Sequence, residues 1–302
     1  LTIKEAPYGA IGFIGLGIMG KPMAGNLARS GHTLYVYDTM ERQIRDLAAL
    51  GASPCKDPRG VAEKSEVVFL MLPDTPDVDA VLFGEEGVAW GVRPGSVVVD
   101  MSSISPIETR RFASRLASSH AEMLDAPVSG GQIGAEQGTL SIMVGGKPEV
   151  FERVKPHFEV MGRNIIHIGP HGDGQACKVA NQILVAGTIA GVSEALLFAS
   201  KAGADPAKVR QALLGGFAQS KILEVHGERM IKRDFRPGFR VSLHQKDLNI
   251  ALETGRDLGV AMPVTAIVQE LLTALAADGG ADLDHSAIIQ VLERLANHRM
   301  AE

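Results

Sequence analysis

The stretch GFIGLGIMGKPM, residues 12–23, decides how this chain is read. It holds Gly15-x-Gly17-x-x-Gly20 directly after the apolar run AIGFI and directly before a segment of helical spacing with Pro22 in its first turn. Each glycine has a task where a strand passes into a helix. The first makes a tight turn, the second lets backbone approach a pyrophosphate, and the third packs helix on strand. The helix start, entered through Ile18 and Met19, then offers N–H groups and positive dipole to phosphates. Alone the pattern is weak, because a purely structural strand-to-helix turn uses the same glycines. Here a second strand, TLYVY, follows and ends at Asp38, about 20 residues after Gly15. A carboxylate at that point accepts hydrogen bonds from both ribose hydroxyls, which favours NAD over NADP. Two other readings stand beside it: Arg42 folding back to a 2′-phosphate, and Asp38 as a plain helix cap.

Outward from this unit, residues 9 to about 168 alternate β-branched runs (AIGFI, TLYVY, EVVFLML, SVVVDM, LSIMV, NIIHI) with amphipathic segments. That is the rhythm of a parallel sheet with crossover helices. The runs at 67–72 and 96–99 are continuous rather than alternating, as burial on both sheet faces requires. Beyond HIGPHGDG, Ala/Leu-rich helical patterns take over, interrupted at Gly203 to Pro206, Gly215 and Gly216, Arg236 to Gly238, Met262 and Pro263, and Gly279 and Gly280. The expected fold is α/β: a Rossmann-type N-terminal domain with a mostly parallel sheet over residues 1–170, followed by an all-α domain over 171–302. Residues 174–202 are expected to form one helix about 40 Å long, ending at Gly203. Its apolar positions run round most of its circumference, which predicts burial on several sides, a second subunit included.

Composition narrows the function classes. The chain has 302 residues, 45% hydrophobic and 22% charged, with a formal net charge of -5, so it lacks the basic field that nucleic acid demands. A small-molecule substrate is the expected partner. Cys55 and Cys177 are the only cysteines and form no ligand spacing, which suits a reducing compartment. His167 and His171 are separated by Gly169 and Pro170, so helical pairing on a metal is not expected. The apolar run from Val179 to Val192 is interrupted by Asn181, Gln182 and Thr188 and is shorter than the roughly 20 residues of a membrane span. A cytoplasmic protein with no membrane or nucleic-acid partner is the expectation.

Two further strand ends face the same crevice, since ligands of open α/β sheets lie beyond the carboxyl ends of the strands. In FLMLPDTP, Leu72 and Pro73 form the exit of a buried strand. In VVVDMSSISP, Ser102 and Ser103 either bond the nicotinamide end of a dinucleotide or cap the helix beginning near Pro106. At the next strand end, Ser129, Gly130 and Gly131 form a small turn whose N–H groups suit a carboxylate. Downstream, Lys178 is the one charged residue between Gly174 and Ser193, and Asn181 shares its helical face. Hydride delivered to a carbonyl carbon creates an alkoxide, which a positioned ammonium stabilises and protonates. A lysine with its head in water is the bland alternative. In LHQKDLNIALE, Lys246, Asp247 and His244 open a helix and are candidates for closing over a cofactor, or for a solvated face.

The ordered set GFIGLGIMGKPMAGNL, MLPDTPDV, DMSSISP, DAPVSGG, GDGQACKVANQ and HQKDLNIALE resembles the β-hydroxyacid dehydrogenases, the 3-hydroxyisobutyrate dehydrogenase-like family, over nearly the whole chain. Within the family, DAPVSGGQIGAEQGTLSIMVGG, SEALLFASKAGADP, LEVHGERMIKRDF and LDHSA look like the members that reduce tartronate semialdehyde (2-hydroxy-3-oxopropanoate) to D-glycerate. The resemblance implies NADH or NADPH as cofactor and Lys178 as catalytic acid/base with Asn181 beside it. It also implies Ser129, Gly130 and Gly131 on the substrate carboxylate, Ser102 or Ser103 near the nicotinamide, and Lys246 against the cofactor. A homodimer or homotetramer built through the helical domain is implied too. Asp38-Thr39 departs from the Asn-Arg of many NADP-preferring relatives, and Gln132 stands where an acidic residue is expected. Oxidation of 3-hydroxyisobutyrate or another short β-hydroxyacid is the competing enzyme reading, and a noncatalytic dinucleotide-binding sensor is the reading from another class.

Overall fold

A computed structural model describes residues 9–300, and packing divides the chain into two compact units, one ending at Lys178 and one beginning at Val179. The first unit holds strands β1 (Ile11–Ile14), β2 (Leu34–Tyr37), β3 (Ser53–Pro54), β4 (Val67–Leu70), β5 (Val97–Asp100), β6 (Glu122–Asp125), β7 (Val128–Ser129), β8 (Leu140–Gly146) and β9 (Gly162–Gly169). Between them run α1 (Gly20–Arg29), α2 (Glu41–Ala48), α3 (Pro58–Lys64), α4 (Thr75–Phe83), α5 (Pro106–Ala117), α6 (Gly131–Gln137) and α7 (Pro148–Met161). The sheet order is β3-β2-β1-β4-β5-β6-β8-β7, with β9 paired to β8. The strands from β3 to β6 are parallel, while β8 runs antiparallel to β6 and β7. The expected Rossmann-type, mostly parallel sheet is therefore present.

Alternation across the sheet explains the unbroken apolar runs. Phe13, Val67, Phe69, Val97 and Val99 join a core on one face, while Ile14, Val68, Leu70 and Val98 join a separate core on the other. Every one of these side chains is at most 1% exposed. Each contributes about 1.5–3 kcal/mol by leaving water, so a polar residue on either face of β4 would be destabilising. The register then sets the level of the strand ends. Ile14 stands opposite Tyr37 and Leu70, Leu70 opposite Asp100, and Asp100 opposite Asp125. The loops that leave these strands consequently emerge along one edge.

The sequence reading divides the chain at 170/171; by packing, the first compact unit runs on into α8 (Asp173–Lys201) as far as Lys178. The cause is Asp125, whose buried carboxylate accepts from the Gly172 N–H at 2.8 Å and the Gln175 N–H at 2.9 Å. The Gln175 side chain adds bonds to Ser102 O at 2.8 Å and from Ile104 N–H at 3.2 Å. A Cβ on Gly174 would stand 2.5 Å from Met143 O, so only glycine lets the helix start lie this close to the sheet. Burial pushes the Asp125 carboxyl up, while the two N–H groups oppose that shift.

The second unit contains the rest of α8 and helices α9 (Pro206–Leu214), α10 (Lys221–Lys232), α11 (Val241–Leu258), α12 (Pro263–Leu275) and α13 (Ile289–Leu295). Its described residues include no strand, only an isolated bridge between Arg240 and Asp284. Ile189, Leu196, Leu223, Met230, Leu248, Leu272 and Ile289 share its core. The long helix has 29 residues, and among the described helices it is the one long and apolar enough to cross a membrane. Its buried Ala186, Ile189, Val192 and Leu196 are those of a core helix, although Leu184 and Phe198 remain 70% and 76% exposed.

Candidate active site

The turn after β1 is shaped by Gly15, whose φ of +90° and whose missing Cβ, which would stand 2.3 Å from Met71 O, both exclude a side chain. The chain then passes exposed Gly17 and Ile18 and half-buried Met19 into α1, with Gly20 buried against the turn. No side chain caps α1 and its first turn holds no acid. By contrast, α3, α4 and α5 are capped by Asp57, Asp74 and Ser105. An uncapped N-terminus behind a glycine turn leaves N–H groups and positive dipole for an anion.

Asp38 does not cap α2, whose N-cap is Met40. Its Oδ2 accepts from the Leu16 N–H at 2.6 Å and its Oδ1 from the Met40 N–H at 2.7 Å. The carboxylate is therefore fixed to the glycine loop, and Arg42 is exposed nearby on the helix. These residues fit the ribose and pyrophosphate of a dinucleotide: a carboxylate for hydroxyl donors and a helix N-terminus for phosphate.

At the next two strand ends the serines divide their work. Ser102 is fully buried, and its hydroxyl accepts from the Leu72 N–H at 2.9 Å, while its own N–H donates to Asp100 Oδ1 at 3.0 Å. It thus ties the β4 exit to the β5 exit. Ser103 is half-buried, as is Leu72, and Pro73 after it is exposed. The helix that follows is capped by Ser105, not by either of the two serines.

Beyond β6, Ser129 closes β7 opposite Ser141, and Gly130 and Gly131 take φ of +136° and +61° before α6. Lys178 is 9% exposed and donates from Nζ to Val128 O at 2.9 Å. Its ammonium is thereby held one residue from the Ser129-Gly130-Gly131 turn. The bland reading of Lys178, a head group in water, does not hold. In the second unit, Asn181 donates to Gln182 Oε1 at 2.7 Å, Gln182 donates to Asp247 Oδ2, and Lys246 pairs with Asp247 Oδ1 at 3.0 Å. An open cleft of about 840 Å³ bordered by Asn26, Arg29, Lys155 and Arg163 contains none of these residues.

Sequence reasoning missed a histidine cluster. His285 Nδ1 lies 2.9 Å from His244 Nδ1 and its Nε2 lies 3.3 Å from His226 Nε2, with His226 Nδ1 3.5 Å from Asp284 Oδ1. Only the spacing of LEVHGER, SLHQK and LDHSA in the fold, not in the chain, brings them together. Asp284 already accepts from the N–H groups of Gly238, Phe239 and Ser286 and from the Ser286 hydroxyl, so the group reads as a structural polar core. His167 and His171 bond separately to Gly146 O and Met123 O.

Burial of imidazoles makes an acid prediction. Desolvation, helped by His32, lowers the His157 pKa to about 4, and burial lowers that of His285 as well, helped by His244 and His226. Below pH 6.5 the unfolded chain takes up protons that these folded imidazoles refuse, so stability falls from pH 6.5 toward pH 4. At pH 5, His157 alone accounts for a loss of about 2 kcal/mol. Denaturant unfolding at pH 7 and pH 5 measures it, and the slope should flatten in His157→Gln.

Comparison with known proteins gives the family. Residues 10–169 match the family model for the NAD binding domain of 6-phosphogluconate dehydrogenase, and residues 172–292 match that described as NAD-binding of NADP-dependent 3-hydroxyisobutyrate dehydrogenase. The chain is 61% identical over 291 residues to 2-hydroxy-3-oxopropionate reductase of Escherichia coli, covering 96% of this chain and 99% of that one. It is 34% identical to the NAD-dependent L-serine dehydrogenase of Pseudomonas aeruginosa, covering 94% and 97%. A solved 3-hydroxyisobutyrate dehydrogenase of Mycobacterium tuberculosis with L-serine superposes with a TM-score of 0.87 at 32% identity, covering 94% and 99%. With a nucleotide-ready glycine turn, a buried lysine beside a glycine-rich turn and these relatives, the chain belongs to the 3-hydroxyisobutyrate dehydrogenase-like family of NAD(P)-dependent β-hydroxyacid oxidoreductases.

Proposed function

We propose that this enzyme reduces tartronate semialdehyde to D-glycerate, reversibly, with NADH as the preferred donor. The observation that carries the reading is the buried Lys178 ammonium, 2.9 Å from Val128 O and next to Ser129, Gly130 and Gly131. A dinucleotide supplies the hydride when bound. Gly15, Gly17, Ile18, Met19 and Gly20 hold its pyrophosphate, Asp38 its ribose, and Leu72, Pro73, Ser103 and Lys246 its remaining length, with Ser102 bracing the strand exits. The Ser129 hydroxyl and the N–H groups of Gly130 and Gly131 hold the substrate carboxylate. Lys178 stabilises the developing alkoxide and delivers its proton, and Asn181, three residues along the same helix, orients the substrate.

Rates of NADH oxidation with tartronate semialdehyde, beside methylmalonate semialdehyde and repeated with NADPH, test the reading. Preference for methylmalonate semialdehyde would move the assignment to 3-hydroxyisobutyrate, and turnover of neither would leave a dinucleotide sensor. For the cofactor, Asp38→Ala is expected to weaken NADH use at least about tenfold and NADPH use less, since the lost carboxylate bonds free ribose hydroxyls. The reverse order in kcat/KM would assign the cofactor choice to Arg42.

We also propose a cytoplasmic homodimer or homotetramer. Exposed Leu184 and Phe198 of α8 and Val264 and Ile267 of α12 support it, with Val264 Cγ1 3.9 Å from where a Cβ on Gly187 would stand. Sedimentation of the purified protein measures it.

A further inference from the structure

Gln182 and Asp247 are 5% and 4% exposed, and no solvent-facing role explains them. Asp247 uses its two carboxylate oxygens for two different partners: Oδ1 faces the Lys246 ammonium at 3.0 Å and Oδ2 accepts from Gln182 Nε2. That second bond fixes which end of an amide faces which neighbour. A carboxylate only accepts, so Gln182 must turn its NH2 toward Asp247 and its Oε1 toward Asn181. Asn181 must then present its NH2 to Gln182, at 2.7 Å, which leaves Oδ1 as the end it offers elsewhere. One buried charge thus sets the polarity of two successive amides.

We propose that Asp247 is a positioning residue that determines specificity: through Gln182 it orients the Asn181 amide so that Oδ1 accepts from the 2-hydroxyl of the substrate, and through its other oxygen it anchors Lys246. The proposal rests on the reading of Asn181 as a substrate contact. It gives a physical basis for choosing a hydroxyl over a methyl at the same carbon. An acceptor held in one orientation by a charge cannot turn its NH2 outward to suit another group, and it stays unpaired when the substrate carries a methyl. With Asn at position 247 the partner can both donate and accept, so the two downstream amides lose their fixed direction.

The test compares kcat/KM for tartronate semialdehyde with that for methylmalonate semialdehyde in the wild type, Asn181→Ala, Gln182→Met and Asp247→Asn, alongside NADH affinity by fluorescence titration. Gln182→Met is expected to lower the hydroxyl-over-methyl ratio at least about tenfold with NADH affinity unchanged. Asp247→Asn is expected to lower the same ratio and to weaken NADH several-fold as well, because Lys246 loses its anchor. If Asp247→Asn does not fold, Gln182→Met carries the same readout. Combining Gln182→Met with Asn181→Ala should cost no more than Asn181→Ala alone, since both act through one amide. A proportional loss on both substrates would overturn the proposal, because a merely structural role lowers both together. A ratio unchanged in Asn181→Ala, with turnover abolished in Lys178→Ala, would overturn it while leaving the reductase standing. A wild type that turns over neither substrate would overturn both.

Discussion

Lys178→Ala is expected to lower kcat on tartronate semialdehyde by at least about a hundredfold, the ordinary contribution of a positioned proton donor. NADH affinity should stay near wild type, because the glycine turn and Asp38 are bonded to one another and not to the lysine. The expectation rests on three facts that act together. Lys178 is 9% exposed, it is the one charged residue between Gly174 and Ser193, and its Nζ is held by Val128 O. A lysine with no task would reach water instead, since its stem is long enough and its desolvation costs several kcal/mol. Lys178→Arg should not restore the rate. The guanidinium keeps the charge but is planar, bulkier and does not give up a proton, so it can hold an alkoxide without protonating it. Single-turnover hydride transfer, read as loss of NADH absorbance, separates this step from product release. Turnover within a few-fold of wild type in Lys178→Ala would remove the lysine from the mechanism.

Asp125→Leu is expected to destabilise the first unit by about 3 kcal/mol, measured by urea unfolding at pH 7. Leucine keeps the branched outline and leaves no cavity, so the loss reports the missing hydrogen bonds together with the crowding of two methyls where oxygens stood. It leaves the Gly172 and Gln175 N–H groups buried without an acceptor, at the end of a helix where no other residue replaces the carboxylate. The same variant should lower kcat more than it raises KM for cofactor, because the start of α8 positions Lys178 while the nucleotide turn lies on α1. Unchanged stability would mean that the bonds from Gln175 to Ser102 and Ile104 hold the helix by themselves.

Much of the fold was legible because two strong signals coincide in the first unit. The unbroken apolar runs of β4 and β5 demand two covered faces, and the glycine turn names the point where the sheet meets a ligand. The burial of Lys178 was legible for a different reason, its isolation among small and apolar neighbours. The antiparallel β7 was harder to see, since two residues of VS carry no periodicity and α6 lies between them and their partner β8. The paired serines were ambiguous because adjacent residues at a strand exit differ in burial, Ser102 turned inward to Leu72 and Ser103 only half-buried. That α8 belongs to both compact units was not legible, since its first turn is claimed by an aspartate far away in sequence. The Asp247-Gln182 chain and the histidine cluster were illegible for that same reason: each is a contact between distant segments, and a single sequence records residues, not meetings.

The level strand ends have a practical consequence. Because Ile14, Tyr37, Leu70, Asp100 and Asp125 stop at the same height, the residues of the first unit proposed to meet a ligand leave the sheet from one common floor, with the apolar core of the strands below it. Recognition and endurance are thus written largely in different residues of the same strands, Asp125 being the tip that serves endurance. Exchanging the other tips should retune what this unit binds without asking the floor to be rebuilt.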